Sequence, residues 1–239
     1  MAPLVESLAS AYHEEHPHVT FSVEAQGSTL GLALARQGAA SLGMVARPVA
    51  QSELLDPQSG RQQIWTTAIA MDGLAIIVNP QNPLRTLTTD QVRDLFAGHV
   101  TRWVYLGWDG GDVRAVSREE GSGTRQVFEA ALLQGEQPTL NAIVTPTSSA
   151  MLEYVAAHRE AVGYVSMGLV GGDVKPIALD GVMPTVATVT DGDYPVVRPL
   201  VLVNGADPSA EVRDFLQFTT GPAGRAIIGQ HFDLPGNGP

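Results

Sequence analysis

The segment from Ser117 to Arg125 carries the residue types best suited to holding an anion. It reads Ser-Arg-Glu-Glu-Gly-Ser-Gly-Thr-Arg and joins a predicted strand to a predicted helix. Its glycines let a ligand approach the backbone N–H groups at the helix start, where the helix dipole favours negative charge. An ordinary hydroxyl cap of the helix is the alternative interpretation. The candidate oxyanion ligands in this segment are Arg118, Gly121, Ser122, Gly123 and Thr124.

A shorter segment in the first half of the chain, Gly27-Ser28-Thr29, repeats the order of predicted strand, glycine, hydroxyl residues and predicted helix. Two such turns, one from each half, are what a cleft needs if both of its sides are to hold one small anion on closure. Gly27 and Ser28 are therefore candidate ligand residues, and a plain helix cap is again the alternative.

Two charged residues, Arg47 and Asp72, stand at the borders of strongly apolar runs. Arg47 follows a predicted strand, and α/β folds bind ligands at the carboxyl ends of their strands. A surface salt bridge is the alternative role for Arg47. Asp72 lies between two apolar runs, where an unpaired carboxylate would be costly. It either pairs with an arginine, caps a turn before Gly73, or accepts the proton of monohydrogen phosphate, a proton that sulfate lacks at neutral pH.

Composition excludes several classes of function. A formal net charge of −11 argues against a nucleic-acid partner, and the absence of cysteine rules out a disulfide scaffold and a cysteine-based zinc site. No nucleotide P-loop, nucleophile elbow or metalloprotease motif occurs, so no catalytic residue, cofactor or metal site is predicted. No apolar stretch reaches the length of a membrane-spanning helix. Met1-Ala2-Pro3 lacks basic and apolar leader regions, so we expect a signal segment to be absent or removed.

The elements that must position these residues follow from apolar periodicity. Helices are predicted over 4–16, 30–36, 124–133, 149–158 and 210–218, with another between Thr88 or Thr89 and Gly98. Strands are predicted over 19–23, 42–46, 113–116, 163–166 and 199–203, and two further apolar runs, 64–70 and 74–78, flank Met71-Asp72-Gly73. This alternation indicates an α/β fold with a largely parallel sheet. We expect one lobe from 1–79 plus 172–239 and a second lobe from 80–171.

The sequence resembles the phosphate-binding proteins of ABC transporters, within the periplasmic-binding-protein class. The matching segments cover most of the chain: 26–29, 42–48, 71–80, 87–98, Trp103, 117–118, 121–125 and 162–165. The resemblance implies a two-lobed type II architecture whose cleft closes around inorganic phosphate. It implicates Ser28, Arg47, Asp72, Arg118, Ser122, Gly123 and Thr124 as ligand residues.

The resemblance also implies a monomer without enzymatic activity, exported to the periplasm or the cell surface, with a membrane permease as its partner. Two departures from the family pattern lead us to expect fewer hydrogen bonds from the first lobe. Only Ala2-Pro3-Leu4 represents the usual opening strand and loop, and Ala46 replaces a common serine. The alternatives are a receptor for sulfate, molybdate or tungstate, an enzyme acting on phosphate esters, and a receptor-like scaffold that has lost ligand binding.

Overall fold

The computed structural model describes residues 1–236, which divide into two compact units. Unit 1 comprises residues 1–71 and 198–236, and unit 2 comprises residues 72–197. Among these described residues, the helices are all too short or too polar to cross a lipid bilayer.

Helices and strands alternate along much of the chain. In chain order the helices are α1 (Ala2–Glu15), α2 (Ser28–Gln37), α3 (Gln51–Leu54), α4 (Thr89–Ala97), α5 (Gly123–Phe128), α6 (Ser148–Ala157), α7 (Val186–Thr190), α8 (Ala210–Thr220) and α9 (Pro222–Ile228). The strands are β1 (Gly43–Val45), β2 (Trp65–Val78), β3 (Thr86–Leu87), β4 (Arg114–Arg118), β5 (Ile143–Thr145), β6 (Ala161–Ser166), β7 (Lys175–Leu179) and β8 (Val197–Asn204). A π-helical turn, Glu129–Leu133, continues α5.

Unit 1 has apolar side chains on both sides of its strands. β1 runs antiparallel to β8, with Gly43 opposite Val203, and β8 lies beside β2. Tyr12 of α1 and Phe215 of α8 belong to one buried cluster, and their rings meet edge to face at 5.4 Å. A second cluster includes Leu32 of α2. Burial of these side chains stabilises the unit, because apolar surface is removed from water.

Unit 2 is organised around β6. This strand is antiparallel to β2, with Ser166 opposite Leu74, and parallel to β4, with Val162 opposite Ala115. β5 is parallel to β4 on its other side, and β7 pairs with β2 and β3. The buried ring of Tyr164 stacks on Phe128 with the ring centroids 4.0 Å apart. This aromatic contact fixes helix α5 against the sheet.

Local capping chemistry explains the predicted bounds of α4. Thr88 Oγ1 accepts a hydrogen bond from the backbone N–H of Gln91, and Gln91 Oε1 accepts one from the N–H of Thr88. Gly98 ends the helix in the left-handed region at φ 84°, where a side chain would be strained. Because both signals lie in the local sequence, the predicted start and end of this helix are confirmed.

Three predictions about the strands are wrong. The segment 19–23 is not a strand in the described chain. Its alternation reflects packing of Val19, Phe21 and Val23 against the apolar cluster that includes Tyr12 and Phe215. The turn considered at Asp72 is replaced by continuous strand: apart from Ile64, the apolar runs 64–70 and 74–78 lie in one strand, β2. The sheet is mixed rather than largely parallel, because β2 and β8 run antiparallel to neighbours that are distant in sequence.

The borders of the two units differ from the predicted lobe boundaries. The units meet at 71/72 and 197/198, whereas the sequence indicated 79/80 and 171/172. Residues 74–78 of β2 pair with β6, which places them in unit 2. β7 pairs with both β2 and β3, so the segment after residue 171 also belongs to unit 2. The first unit combines chain segments from both sides of the second.

Candidate functional site

Polar side chains gather at one edge of the unit 2 sheet. The parallel strands β4, β5 and β6 end there at Arg118, Thr145 and Ser166. Asp72 reaches the same edge, because it lies two residues before Leu74, the partner of Ser166 on antiparallel β2. β2 and β4 are two strands apart, a separation of about 10 Å in a sheet. The register thus brings Asp72 and the predicted anion loop to one side of the unit.

Arg118 is buried at the end of β4, and its guanidinium is held by groups of the protein. Nε and Nη2 donate to the two carboxylate oxygens of Glu119, each at 3.1 Å. Nε also donates to the carbonyl of Thr145, Nη2 to the carbonyl of Pro146 at 3.0 Å, and Nη1 to Ser148 Oγ at 2.9 Å. Because Nη1 carries two hydrogens, a second one is available for a ligand after these contacts. Groups of the protein itself therefore fix the position of this side chain.

The turn after Arg118 leads into α5 with its polar groups buried. Ser122, Gly123 and Thr124 are all buried, and Ser122 Oγ accepts a hydrogen bond from the backbone N–H of Arg125 at 3.3 Å. The first N–H groups of a helix have no partner within the helix, so this turn directs backbone donors to one spot. Arg125 Nη1 donates to the carbonyl of Arg118 at 3.0 Å, which closes the turn. The helix cap considered for Ser122 is therefore present, and the backbone N–H groups of this turn remain the predicted anion donors.

Asp72 is fully buried, and its Oδ1 accepts a hydrogen bond from Ser166 Oγ at 2.9 Å. The phenol of Tyr194 donates to the carbonyl of Leu74 at 2.8 Å. Burial raises the pKa of Tyr194, and the nearby carboxylate of Asp72 raises that pKa further. Tyr194 therefore stays protonated at neutral pH. The carboxylate of Asp72 thus lies near two uncharged hydroxyl groups, those of Ser166 and Tyr194.

The predicted residues of unit 1 form a separate local arrangement. Gly27 adopts φ 87° before α2, and Ser28 Oγ accepts a hydrogen bond from the backbone N–H of Ala46 at 3.0 Å. This contact joins the start of α2 to the end of β1. Arg47 follows Ala46, and its Nη1 and Nη2 donate to Glu53 at 2.8 and 2.7 Å. The salt bridge considered for Arg47 is thus present, with a partner inside unit 1.

Sequence reasoning missed several residues that build this site. Thr145, Ser148 and Tyr164 all contact the Ser117-Arg118 backbone or the Arg118 side chain, and Ser166 contacts Asp72. Ser166 ends a predicted strand, Tyr164 lies within the same strand, and Ser148 directly precedes a predicted helix. Thr145 lies in no predicted element. Residue type alone did not distinguish them from other buried hydroxyl groups.

Comparison with known proteins gives a consistent picture. A family model described as a PBP superfamily domain matches residues 1–223. The phosphate-binding protein PstS of Bacillus subtilis is 29% identical over 197 residues, an alignment that spans 82% of this chain and 64% of that protein. The chain thus spans less than two thirds of the length of this relative.

Solved structures show the same likeness across nearly the whole chain. A candidate phosphate ABC transporter substrate-binding protein from Clostridium perfringens, crystallised with bound phosphate, superposes with a TM-score of 0.90 at 30% identity, covering 98% of this chain and 95% of that one. An ABC-type phosphate transport receptor from Vibrio cholerae gives a TM-score of 0.76 at 29% identity, covering 98% and 96%. The predicted α/β fold class and the predicted resemblance are confirmed.

Proposed function

This chain belongs to the PBP superfamily, and on that premise we propose that it captures inorganic phosphate and delivers it to an ABC transporter. The proposal is supported by relatives that are named phosphate-binding proteins and by a similar structure with bound phosphate. As a receptor, the chain needs no nucleophile or metal, and it performs no covalent chemistry. It acts as a monomer on the outer side of the cytoplasmic membrane, with a permease as its partner.

The observation that carries the proposal is the preformed anion turn of unit 2. The Arg118 guanidinium donates five hydrogen bonds to four protein groups at the end of β4, and Ser122, Gly123 and Thr124 follow as buried residues at a helix start. A tetrahedral oxyanion at this turn receives backbone N–H donors, hydroxyl donors and a charged guanidinium donor. Charge-assisted hydrogen bonds of this kind are about twice as strong as neutral ones, and together they offset the cost of dehydrating the anion.

Asp72 supplies the discrimination between phosphate and sulfate. Monohydrogen phosphate has an O–H group that can donate a hydrogen bond to the Asp72 carboxylate. Sulfate at neutral pH has only acceptor oxygens and cannot donate one. Sulfate beside Asp72 is therefore repelled, and such a repulsive element is an efficient source of specificity. Burial of Asp72 strengthens this effect because water does not screen it.

Gly27, Ser28 and Arg47 of unit 1 are proposed to add ligand contacts. Ser28 Oγ already accepts the N–H of Ala46, so its hydroxyl hydrogen can be donated to an anion. Nη1 and Nη2 of Arg47 are paired with Glu53, so a phosphate contact from either atom competes with that carboxylate, and Nε, which has no partner among the described residues, is buried. We therefore expect Ser28 to matter more for affinity than Arg47.

Isothermal titration calorimetry with phosphate and with sulfate tests the proposal. We expect phosphate to bind at least a hundredfold more tightly than sulfate, and Arg118→Ala to weaken phosphate binding by about a hundredfold. Arg114→Ala is the matched control, because Arg114 begins the strand that Arg118 ends and forms an exposed ion pair with Glu160. This variant should bind like the unaltered protein.

Other results would point to the alternatives. Equal binding of both anions would indicate a general oxyanion receptor, and absence of binding heat with phosphate, sulfate, molybdate and tungstate would indicate a scaffold without a ligand. Turnover of a model phosphate ester that a chelator abolishes would indicate an enzyme. Each of these three outcomes contradicts the proposed function.

A further inference from the structure

Tyr164 makes contacts with the backbone just before the anion turn. Its phenol oxygen accepts a hydrogen bond from the N–H of Arg118 at 3.3 Å and lies 2.9 Å from Ser117 Oγ. Both partners belong to the last two residues of β4, although Tyr164 lies on the neighbouring strand β6. The Tyr164 phenol therefore contacts both residues at the end of β4, directly before the anion turn begins.

This phenol stands where regular sheet pairing between β4 and β6 has ended. Their register pairs Arg114 with Ala161 and Ala115 with Val162, and β4 then continues for three more residues to Arg118. A buried N–H that lies beyond the ladder needs another acceptor. The Tyr164 side chain supplies that acceptor to Arg118. On its β6 side the end of β4 is therefore held by a side chain, while on its other side β4 stays paired with β5.

The aromatic ring is itself held from the helix side. It stacks on Phe128 at 4.0 Å with an interplanar angle of 6°, and Phe96 packs 5.6 Å away. The residue is fully buried, and burial raises the pKa of its phenol to about 12. The phenol consequently keeps its proton, which it can donate to Ser117 Oγ while it accepts from Arg118.

We infer that Tyr164 is a positioning residue for phosphate binding, because its hydroxyl fixes the backbone from which the Arg118 guanidinium and the anion turn begin. The inference rests on the proposed function, and Tyr164 itself need not touch the ligand. Two further contacts hold the same backbone: Thr145 Oγ1 donates to the carbonyl of Ser117 at 3.1 Å, and Arg125 Nη1 donates to the carbonyl of Arg118 at 3.0 Å. We call these contacts and the hydrogen bonds of the Tyr164 phenol the clamp. Without the phenol oxygen, one side of this clamp is lost.

The test is phosphate calorimetry on Tyr164→Phe, which removes the hydroxyl and keeps the stacked ring. We expect affinity for phosphate to fall about five- to tenfold, the effect of losing one buried hydrogen-bond partner. Tyr154→Phe is the matched control, because the Tyr154 phenol accepts from Arg114 Nη1 at 3.0 Å at the opposite end of the same strand. Melting temperatures of the unliganded variants are measured alongside, with calorimetry done well below them.

A double-mutant cycle separates positioning from a general loss of stability. Ser117→Ala and Tyr164→Phe remove the two ends of one hydrogen bond, so their combined effect on phosphate affinity should be smaller than the product of their single effects. If Tyr164→Phe fails to fold, Ser117→Ala alone is the test, and it should weaken phosphate binding several-fold.

The outcomes distinguish this inference from the proposed function. Wild-type affinity in Tyr164→Phe, or equal weakening in Tyr164→Phe and Tyr154→Phe, would overturn the positioning role while leaving phosphate capture intact. If Tyr164→Phe does not fold, wild-type phosphate affinity in Ser117→Ala would likewise overturn the positioning role. If the unaltered protein shows no heat of phosphate binding, the proposed function is wrong, and the positioning role, which depends on it, is wrong as well.

Discussion

The carboxylate of Glu53 accepts two hydrogen bonds from the guanidinium of Arg47, at 2.7 and 2.8 Å. A third contact, from Arg36 Nη2 to the backbone carbonyl of Glu53, brings a second positive group to the same place. The pair is partly buried, since 12% of the Arg47 side chain and 29% of the Glu53 side chain are exposed. Glu53 thus lies between two arginines, one of which, Arg36, belongs to the last turn of α2.

This pairing predicts a dependence of stability on acid. The hydrogen bonds from Arg47 hold the pKa of Glu53 below its usual value, although burial opposes them. A carboxylate with a lowered pKa stabilises the folded state above the ordinary glutamate pKa of about 4.3, and that contribution is lost as the pH falls through the lowered pKa. We expect Glu53→Gln to cost about 1 kcal/mol at neutral pH and to flatten the acid limb of a urea-denaturation series.

The control for this prediction is Glu15→Gln, which changes an exposed carboxylate at the end of α1. Its acid limb should match that of the unaltered protein. The series runs from about pH 5 to about pH 3, on either side of the ordinary glutamate pKa of about 4.3. If Glu53→Gln loses stability as steeply over this range as the unaltered protein does, the Arg47 pairing does not stabilise unit 1.

Helix ends were predictable because their chemistry is local. Thr88 and Gly98 directly flank α4, and the partners of their capping contacts lie within a few residues of them in the sequence. The anion turn was predictable for the same reason, since Arg118 to Thr124 are contiguous. Whether those residues bind phosphate stays a prediction.

Strand direction and the supporting shell of the site were not predictable, because they depend on distant partners. Gly43 pairs with Val203, and nothing in either segment encodes an antiparallel match. Ser166 lies 94 residues from Asp72, and Tyr164 lies 46 residues from Arg118. A hydroxyl at the end of a strand acquires a role only when the sheet order is known.

Ser122 has two proposed roles, and a single substitution separates them. Ser122→Ala removes the cap of α5 and a hydroxyl donor to phosphate, so we expect a loss of about 1 kcal/mol in unfolding free energy and about fivefold weaker phosphate binding. Ser209→Ala is the matched control, because Ser209 caps α8 in the same way, by accepting from the N–H of Val212. It should lose stability and keep affinity. Undiminished affinity in Ser122→Ala would leave Ser122 as a cap alone.

Asp72→Asn tests the discrimination between anions. The amide still accepts a hydrogen bond from Ser166, but it also carries N–H donors that suit sulfate and no longer attracts the phosphate proton. We expect the ratio of phosphate to sulfate affinity to fall at least tenfold in calorimetric titrations at pH 7.5. Asp180→Asn is the control, since Asp180 accepts a hydrogen bond from the Thr89 hydroxyl at an exposed position after β7. An unchanged ratio in Asp72→Asn would place the source of selectivity elsewhere.

Gly43 lets α2 approach β1 closely enough for Ser28 to reach the N–H of Ala46. A Cβ at position 43 would lie 2.3 Å from the carbonyl oxygen of Gly31, a distance that requires the helix or the strand to shift. We therefore expect Gly43→Ala to lower the unfolding free energy by about 1–3 kcal/mol, as overpacking generally does, in chemical denaturation. Gly205→Ala is the matched control, because its Cβ would lie 3.5 Å from the carbonyl oxygen of Ala35, an ordinary contact. Equal stability of the two variants would show that α2 and β1 can move apart at no cost in free energy. The contact of Ser28 with Ala46 would then not require a glycine at position 43.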